Sequence, residues 1–249
     1  MSDIFIALLM LILSIIQSIA GVGILLIGTP VLLLNGFDII SSINTLLPFS
    51  ILTSFLNLIF FKLKKYKSSI TKDIHIRKIF LFYCLPGVFL GTILILLFSS
   101  FINFKIIISF VILITVILKN KFKKLLVNVS KKAKTSLISI IGIIHGLTNA
   151  GGSLLSIFIL SFGNNKDTIS SRYNITYFYF FLALMQYFLF KIIFINYDIF
   201  LFQNYLLIFL VIFIGCLIGN FMSLFIKKKL FGFFVDLLAV ITATSLILK

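Results

Sequence analysis

Eight long apolar runs constrain this chain more than any other feature of its sequence. They cover residues 4–34, 39–61, 79–99, 104–118, 135–162, 174–195, 203–226 and 231–248. A helix needs about 20 apolar residues to cross a bilayer, so most of these runs can span one. The composition agrees, because 61% of the residues are hydrophobic and 11% are charged, against roughly 25% charged in soluble domains. The sequence predicts an all-α polytopic membrane protein and excludes a soluble enzyme.

The basic residues cluster between the apolar runs. Lys and Arg number 22 against six Asp, giving a formal net charge of +16, and segments 62–78 and 119–134 each hold seven of the basic residues. Basic loops on the cytoplasmic side are typical of membrane proteins, so this charge indicates topology rather than nucleic-acid binding. Lys outnumbers Arg by 20 to 2, a compositional bias. We predict a multi-pass protein of the plasma or inner membrane, with 119–134 linking two halves.

The two halves of the chain resemble each other. Adding 129 to each number from Gly23 to Lys62 aligns the sequence with itself without a gap. The matches that matter are those of polar residues and glycine, because apolar matches are common in such a chain: Gly23 with Gly152, Asn35 with Asn164, Asp38 with Asp167, Ser41 and Ser42 with Ser170 and Ser171, and Lys62 with Lys191. The sequence predicts two homologous membrane repeats, 1–128 and 129–249.

Small residues interrupt the first run of each repeat, which leaves two topologies open. Residues 4–34 break at 21–23 (Gly-Val-Gly) and again at 28–30 (Gly-Thr-Pro), and residues 135–162 break at 149–152 (Asn-Ala-Gly-Gly). Each run is either one span, giving eight crossings, or a re-entrant hairpin, giving six. The hairpins, with the N-terminus outside, place 19 of the 22 Lys and Arg in the cytoplasm, whereas eight crossings place 16 there. The positive-inside rule favours hairpins, and with them inverted repeats of three spanning helices each, as in many secondary transporters.

Glycine clusters within apolar runs predict broken helices with a chemical role. A break leaves backbone N–H groups free at the new helix start, where the helix dipole favours an anion. The new starts fall near Ile24 and Ser153, and two breaks related by a pseudo-two-fold axis would hold one small ligand near the midplane. The alternative is that these glycines only let helices pack closely, the role we predict for the Gly-x-x-x-Gly motifs at 87–91 and 215–219.

Several motifs, taken in order, resemble one family. They are AGVGILLIGTPVLL (20–33), SSINTLLPFSILTSFLNLIFFK (41–62), LPGVFLGT (85–92), HGLTNAGGSLL (145–155) and IGCLIGNFMSLFIKKK (214–229). Together they resemble the sulfite exporter TauE/SafE family of membrane permeases, over most of the chain. The resemblance implies transport of small anions, often sulfite or organosulfonates. It places the Gly-rich elements at Gly21, Gly23, Pro30, Gly151 and Gly152, and the polar helix starts at Asn44, Thr45 and Asn174.

The candidate substrate-binding residues lie at the breaks and at the polar helix starts: Gly21, Gly23, Thr29, Asn44, Thr45, His145, Asn149, Gly151, Gly152, Ser153 and Asn174. His145 precedes Asn149 by one helical turn. It either holds a proton and assists anion binding or is a neutral interior histidine. Asp236, in the last apolar run, is either a proton-coupling group or the partner of a lysine in 227–229.

Three further charged residues have predicted roles. Asp38 and Asp167 match across the repeats and precede helix starts, so we predict that they are helix N-caps. Arg172 follows two serines at a helix start. It is either a surface-loop arginine or a guanidinium fork for an oxyanion.

The sequence thus predicts a secondary transporter of a small anion, sulfite or an organosulfur oxyanion, working by alternating access between the two broken elements. A facilitated pathway or channel for another small solute, and an accessory subunit that transports nothing, remain alternatives. No motif predicts an enzyme, a metal site or a cofactor. The expected partners are the anion, the lipid bilayer and, in a homo-oligomer, further copies of the chain, but not nucleic acid.

Overall fold

The computed structural model has ten helices in the residues that it describes, which are 3–62, 74–99, 101–125, 130–162, 168–193, 205–225 and 228–248. The helices are α1 (Asp3–Ala20), α2 (Ile24–Leu34), α3 (Ile39–Lys62), α4 (Ile74–Ile79, continued by Phe80–Cys84 and Leu85–Phe98), α5 (Phe104–Leu125), α6 (Lys131–Thr148), α7 (Gly151–Phe162), α8 (Thr168–Ile193), α9 (Tyr205–Met222) and α10 (Lys228–Leu248). All regular structure in these ranges is helical, which confirms the all-α prediction for them.

Three stretches of these helices are long and apolar enough to cross a membrane by length and composition. They are Ile39–Lys62, Ile76–Phe98 and Ile169–Ile193, in α3, α4 and α8, and the other apolar helices are shorter. Large apolar side chains cover much of the outer surface, with Phe82 of α4 exposed by 74%. A water-soluble protein rarely exposes so much contiguous apolar surface, so this surface fits a lipid environment.

A π-helical turn interrupts α4. The stretch Phe80–Cys84 is π-helical, and the Leu85 N–H donates to the Phe80 carbonyl, five residues back. Pro86 follows at once. Proline has no N–H to donate four residues back, and a π-turn is one way in which a helix adapts to such a loss.

The first predicted break produces an antiparallel hairpin. At its turn, Gly23 lies against Gln17 of α1, and farther along α2, Gly28 lies against Leu13. The second break, predicted at 28–30, is wrong, because α2 continues through these residues with Pro30 inside it. Proline within a membrane helix is tolerated where neighbouring helices surround it, and residues 28–30 are buried.

The other predicted break, at 149–152, produces a second antiparallel hairpin. Gly151 lies against His145 beside the turn. At the open end, the Lys134 Nζ lies 4.6 Å from the centre of the Phe162 ring. Lys134 is near the start of α6 and Phe162 ends α7, so the two helices run in opposite directions. Both long apolar runs are therefore folded back on themselves.

Each hairpin packs on a helix from the other half of the chain. Gly215 and Gly219 of α9 lie against α1, and Gly87 and Gly91 of α4 lie against α6. A Cβ on Gly219 would meet the Ile15 carbonyl oxygen at 2.7 Å, and α6 contributes glycines of its own to the second contact. The prediction that both Gly-x-x-x-Gly motifs pack helices is confirmed.

The ends of the helices test three further predictions. Asp38 caps α3 as predicted, since its Oδ1 accepts from the Ser41 N–H at 2.9 Å, whereas Asp167 lies outside the described residues. Much of the basic segment 119–134, which we predicted to link the halves, is helical, because α5 extends to Leu125 and α6 starts at Lys131. Its role as a link between two repeats stays a prediction. Arg172 lies within α8 rather than in a loop. Basic residues near helix ends can pack their aliphatic stems against apolar surface while their charged groups reach water.

Candidate functional site at the two hairpin turns

The turn of the first hairpin depends on Gly21. Its φ is +85°, in the left-handed region that favours glycine. Its N–H donates to the Gln17 carbonyl at 2.7 Å, which ends α1. A Cβ on Gly21 would lie 2.9 Å from Cγ2 of Ile175 on α8. Glycine is therefore needed at this position both for its backbone angle and for its close contact with α8.

The turn of the second hairpin depends on Asn149, which has a φ of 60°. Asparagine is among the few residues that adopt this conformation readily. Its N–H donates to the His145 carbonyl at 2.9 Å and ends α6. The Asn149 Nδ2 donates to Oγ1 of Thr29 on α2 at 3.3 Å. This buried hydrogen bond joins the two hairpins directly.

Gln17 caps the start of α2 and ties it to α3. Its Oε1 accepts from the Ile24 N–H at 3.1 Å. Its Nε2 donates to the Ser50 carbonyl at 3.0 Å and to Ser54 Oγ at 2.9 Å. The amide is fully buried and cannot bond to water. These hydrogen bonds therefore satisfy its polar atoms.

Tyr179 of α8 lies between the starts of α2 and α7. Its hydroxyl oxygen accepts from the Leu25 N–H at 3.3 Å. Its ring lies so close to Gly152 that any Cβ there would collide with it. The His145 ring approaches the Tyr179 ring edge-on, with 6.0 Å between ring centres. One side chain thus contacts both hairpins next to their turns.

The first amides of α2 differ from the sequence prediction, which expected them to be free. The amide of Ile24 is bound by Gln17, and that of Leu25 is bound by Tyr179. The physical reason is that a buried N–H without an acceptor costs free energy. The helix start is a donor site, but in this conformation neutral side chains occupy it.

The polar cluster is closed in this conformation. Gln17, Tyr179, His145 and Asn149 are all fully buried. Two apolar cavities lie elsewhere in the described part, one of about 360 Å³ between α3 and α8 and one of about 190 Å³ lined by residues of α5, α6 and α7. A ligand would therefore need the hairpins to separate or the capping side chains to move.

The comparison with protein families gives a match over nearly the whole chain. The model of the sulfite exporter TauE/SafE family matches residues 6–246, a range that contains both hairpins and the helices around them. The chain belongs to the sulfite exporter TauE/SafE family. No curated protein and no solved structure gave a match. Members of this family are membrane permeases, so the TauE/SafE chain is an integral, multi-pass membrane protein.

The structure of this TauE/SafE chain brings most of the predicted site residues to the two turns: Gly21, Gly23, Thr29, His145, Asn149, Gly151 and Gly152. Ser153 is adjacent, but its hydroxyl donates to the Ala150 carbonyl at 2.8 Å and so closes its own turn. That these residues bind substrate stays a prediction.

Four other predicted residues lie farther from the turns. Asn44 and Thr45 are buried in α3, and Thr45 precedes Ser50 by five residues, about 7 Å along a helix. Asn174 is buried in α8 at the same spacing before Tyr179. Asp236 is only partly buried, on α10. This position does not test the proton-coupling role of Asp236, which stays a prediction.

Sequence reasoning missed four residues of the TauE/SafE cluster: Gln17, Ser50, Ser54 and Tyr179. Gln17 gave a usable signal, because one amide within an 18-residue apolar helix needs buried partners. Tyr179 gave none, since 16% of the chain is aromatic and nothing local distinguishes this tyrosine from its neighbours.

Several buried polar atoms of the cluster lack a hydrogen-bond partner within the described residues. They are both ring nitrogens of His145, Oδ1 of Asn149 and Oγ1 of Thr45. Buried polar groups in native proteins are nearly always paired, and exceptions often mark functional positions. Two of these three predicted site residues, His145 and Asn149, lie at the second turn. Other buried atoms that were not predicted, such as Gln186 Oε1, also lack a partner among the described residues.

Proposed function

We propose that this TauE/SafE chain is a secondary transporter that moves a small sulfur-containing oxyanion, such as sulfite or an organosulfonate, across the cell membrane. The observation that supports it is the meeting of two helix starts at Tyr179, which contacts Leu25 of α2 and Gly152 of α7. Helix starts attract anions through their N–H groups and dipoles. The adjoining side chains of Gln17 and Asn149 carry no charge that would repel an anion.

In this proposal the anion replaces the neutral caps of α2. Its oxygens take the places of Gln17 Oε1 and Tyr179 Oη at the amides of Ile24 and Leu25, which lie 3.1 and 3.3 Å from those caps. Hydrogen bonds to an ionised acceptor are roughly twice as strong as those between neutral groups. An anion therefore competes well with both caps, whereas a neutral solute does not.

The second hairpin supplies the remaining contacts. His145 and Asn149 have polar atoms with no hydrogen-bond partner in the described part of the chain, and His145 approaches Tyr179. Once the Tyr179 hydroxyl is displaced, a His145 N–H would be a donor toward the anion. An anion beside the ring would favour the protonated form of His145, so that binding would couple transport to a proton.

Alternating access would follow from the way the halves interlock. Each hairpin packs through glycines on a helix of the other half, α1 on α9 and α6 on α4. A rocking motion of the repeats would therefore move each hairpin relative to its own sequence neighbours and open the turns toward one side at a time. The reciprocal packing supports two inverted repeats, 1–128 and 129–249, with six crossings and two re-entrant hairpins.

Transport by the purified chain in proteoliposomes tests the proposal. The panel is sulfite, thiosulfate, sulfoacetate and isethionate against chloride, sulfate and phosphate, with and without a proton gradient, followed both electrically and by isotope flux. We expect saturable transport of a sulfur oxyanion and little of chloride. Flux of every solute without saturation or proton dependence would instead indicate a channel. No flux at all from folded, inserted protein would contradict transport and favour an accessory role.

Glycine variants test the location of the site in the same assay. Valine at Gly152 would collide with Tyr179, and valine at Gly23 would press on the Gln17 backbone, where a Cβ already lies 3.0 Å from the amide nitrogen. We expect both to lose transport while still inserting. Gly36→Val is the control for crowding, because its φ of +89° strains valine while a Cβ there meets nothing within 4 Å. Normal transport by both turn variants would mean that the substrate does not bind at the turns.

A further inference from the structure

The only two arginines of the chain both lie against aromatic rings. Arg77 of α4 has its Cζ 4.0 Å from the centre of the Tyr177 ring, and Arg172 of α8 has its Cζ 4.6 Å from the centre of the Phe61 ring. The chain has 20 lysines, so most of its basic positions are lysine, and an arginine is the exception. Stacking on a ring and planar, two-point hydrogen bonding are what a guanidinium does and an ammonium does not.

One tyrosine joins the two arginine contacts into a continuous row. The ring of Tyr173 meets Phe61 edge-on with 5.8 Å between centres, and it stacks on Tyr177 at 6.2 Å and 28°. Tyr173 and Tyr177 lie about one helical turn apart on α8, on the same face. The row therefore connects the two guanidiniums across this face of the helix.

The two arginines differ in how their donors are used. The Arg172 Nη2 donates to Oδ1 of Asn220 at 2.7 Å, and the Asn220 Nδ2 donates to Asn57 Oδ1 at 2.6 Å. Arg172 is thus tied into the contact between α8, α9 and α3. For Arg77, both Nε and Nη2 are buried without a hydrogen-bond partner among the described residues. Buried charged donors without an acceptor are costly.

Arg77 lies at the basic end of the molecule. It belongs to segment 62–78, which holds seven Lys and Arg. Phe61 near the end of α3 and Arg172 near the start of α8 are in contact, so these helix ends lie together. The positive-inside rule assigns this end to the cytoplasm.

We propose that the Nε and Nη2 edge of Arg77 is a second oxyanion site, at the cytoplasmic mouth and separate from the hairpin turns. Two donors side by side match two oxygens of one oxyanion. The transported sulfur oxyanion and a lipid phosphate headgroup share this chemistry. The assignment to the transported anion rests on the proposed function, whereas oxyanion binding itself does not.

A carboxylate of the chain is the competing acceptor. Asp73 precedes Arg77 by four residues and lies outside the described residues, and an Asp–Arg pair at this spacing is common on helices. The variant Asp73→Asn separates the two explanations. If Asp73 occupies Arg77, removing its charge should tighten the binding of an added oxyanion, and if it does not, binding should change little.

The test measures binding of thiosulfate to the full chain in phosphatidylcholine nanodiscs by thermal shift. In a Gly152→Val background, which removes the turn site, we expect residual binding that Arg77→Gln weakens about tenfold, the loss of one charge-assisted contact. Arg77→Lys should weaken it less, because it keeps the charge and loses the fork. Lys78→Gln, which removes a neighbouring exposed charge, should change it less than about twofold. If Gly152→Val fails to fold, the same series is run in the native sequence and read as the apparent affinity for transport from the basic side.

Four results decide the matter. Equal weakening by Arg77→Gln and Lys78→Gln would reduce the site to general electrostatic attraction and overturn it. Clearly tighter thiosulfate binding in Asp73→Asn would mean that Asp73 is the partner of Arg77, and would also overturn it. Arg77-dependent stabilisation by added phosphatidylglycerol, without any by thiosulfate, would support the oxyanion site with a headgroup as its ligand. Binding that depends on Arg77 in a chain that transports nothing would leave this site standing while the proposed function fails.

Discussion

At the scale of single residues, Gln17 and His145 show how two equivalent positions acquire different roles. Each precedes the left-handed residue of its hairpin turn by four positions, and the backbone N–H of that residue bonds to its carbonyl. The side chain of Gln17 makes four hydrogen bonds. Neither ring nitrogen of His145 has a partner in the described part of the chain. The glutamine at the first turn is thus bonded to its own hairpin and to α3, whereas the histidine at the second turn keeps both ring nitrogens available.

Tyr179→Phe is the sharpest single-residue variant. It keeps the ring against Gly152 and removes the acceptor for the Leu25 N–H. The unpaired amide should lower the stability of the empty protein by about 1–3 kcal/mol. An anion then relieves that loss and no longer competes with the hydroxyl, so the apparent dissociation constant for the transported anion should fall.

Thermal unfolding with and without the anion measures both effects. Tyr187→Phe, on the same helix, is the control, since Tyr187 is only partly buried and lines the apolar cavity. A higher dissociation constant for Tyr179→Phe would mean that the hydroxyl binds the anion instead of competing with it.

At the scale of elements, both hairpins were predictable and their capping was not. Glycine and asparagine within apolar runs indicate breaks at 21–23 and 149–152, because these residues adopt left-handed angles at low cost. The break expected at 28–30 failed, since Pro30 is accommodated within α2. The caps of α2 come from α1 and α8, and the contact between Tyr179 and Leu25 spans 154 residues of sequence. No local pattern reports a partner at that distance.

Two alanine variants separate backbone strain from packing at the first turn. Gly21 and Gly36 have φ values of +85° and +89°, but a Cβ on Gly21 meets Ile175 at 2.9 Å and one on Gly36 meets nothing within 4 Å. Alanine at either position should cost about 1–2 kcal/mol from strain. Gly21→Ala should lower the free energy of unfolding by more than Gly36→Ala, because Ile175 must shift to make room for the Cβ.

Denaturation in detergent gives the difference between these two variants. We expect Gly21→Ala to be the less stable and to reduce transport, with Gly36→Ala close to normal in transport. Equal stability of the two would mean that the turn does not press on α8.

At the scale of the whole molecule, each hairpin packs on a helix from the other half of the chain, an arrangement that apolar patterning alone does not specify. The sequence self-alignment predicted two related halves, and the Gly-x-x-x-Gly motifs were correctly assigned to helix packing. Which helix each motif meets was not predictable, because a glycine face fits any partner of similar shape. Only the structure pairs α9 with α1 and α4 with α6.

Sidedness distinguishes six crossings from eight. Cys84 and Cys216 are buried and free, so both are replaced by alanine before single cysteines are introduced at Ser2, Lys228 and Lys249. With two hairpins, an impermeant thiol reagent should label positions 2 and 249 from outside and position 228 only after permeabilisation. Eight crossings would give the reverse pattern at all three positions.

The pairing of α1 with α9 also has a consequence for synthesis. Tyr205, the first residue of α9, is translated roughly ten to forty seconds after Ala20, at 5–20 residues per second. Until then α1 cannot pack against the glycines of α9. The first hairpin therefore has to be held by earlier contacts, such as those of Gln17 with Ser50 and Ser54 on α3, for most of the time that the chain is being made.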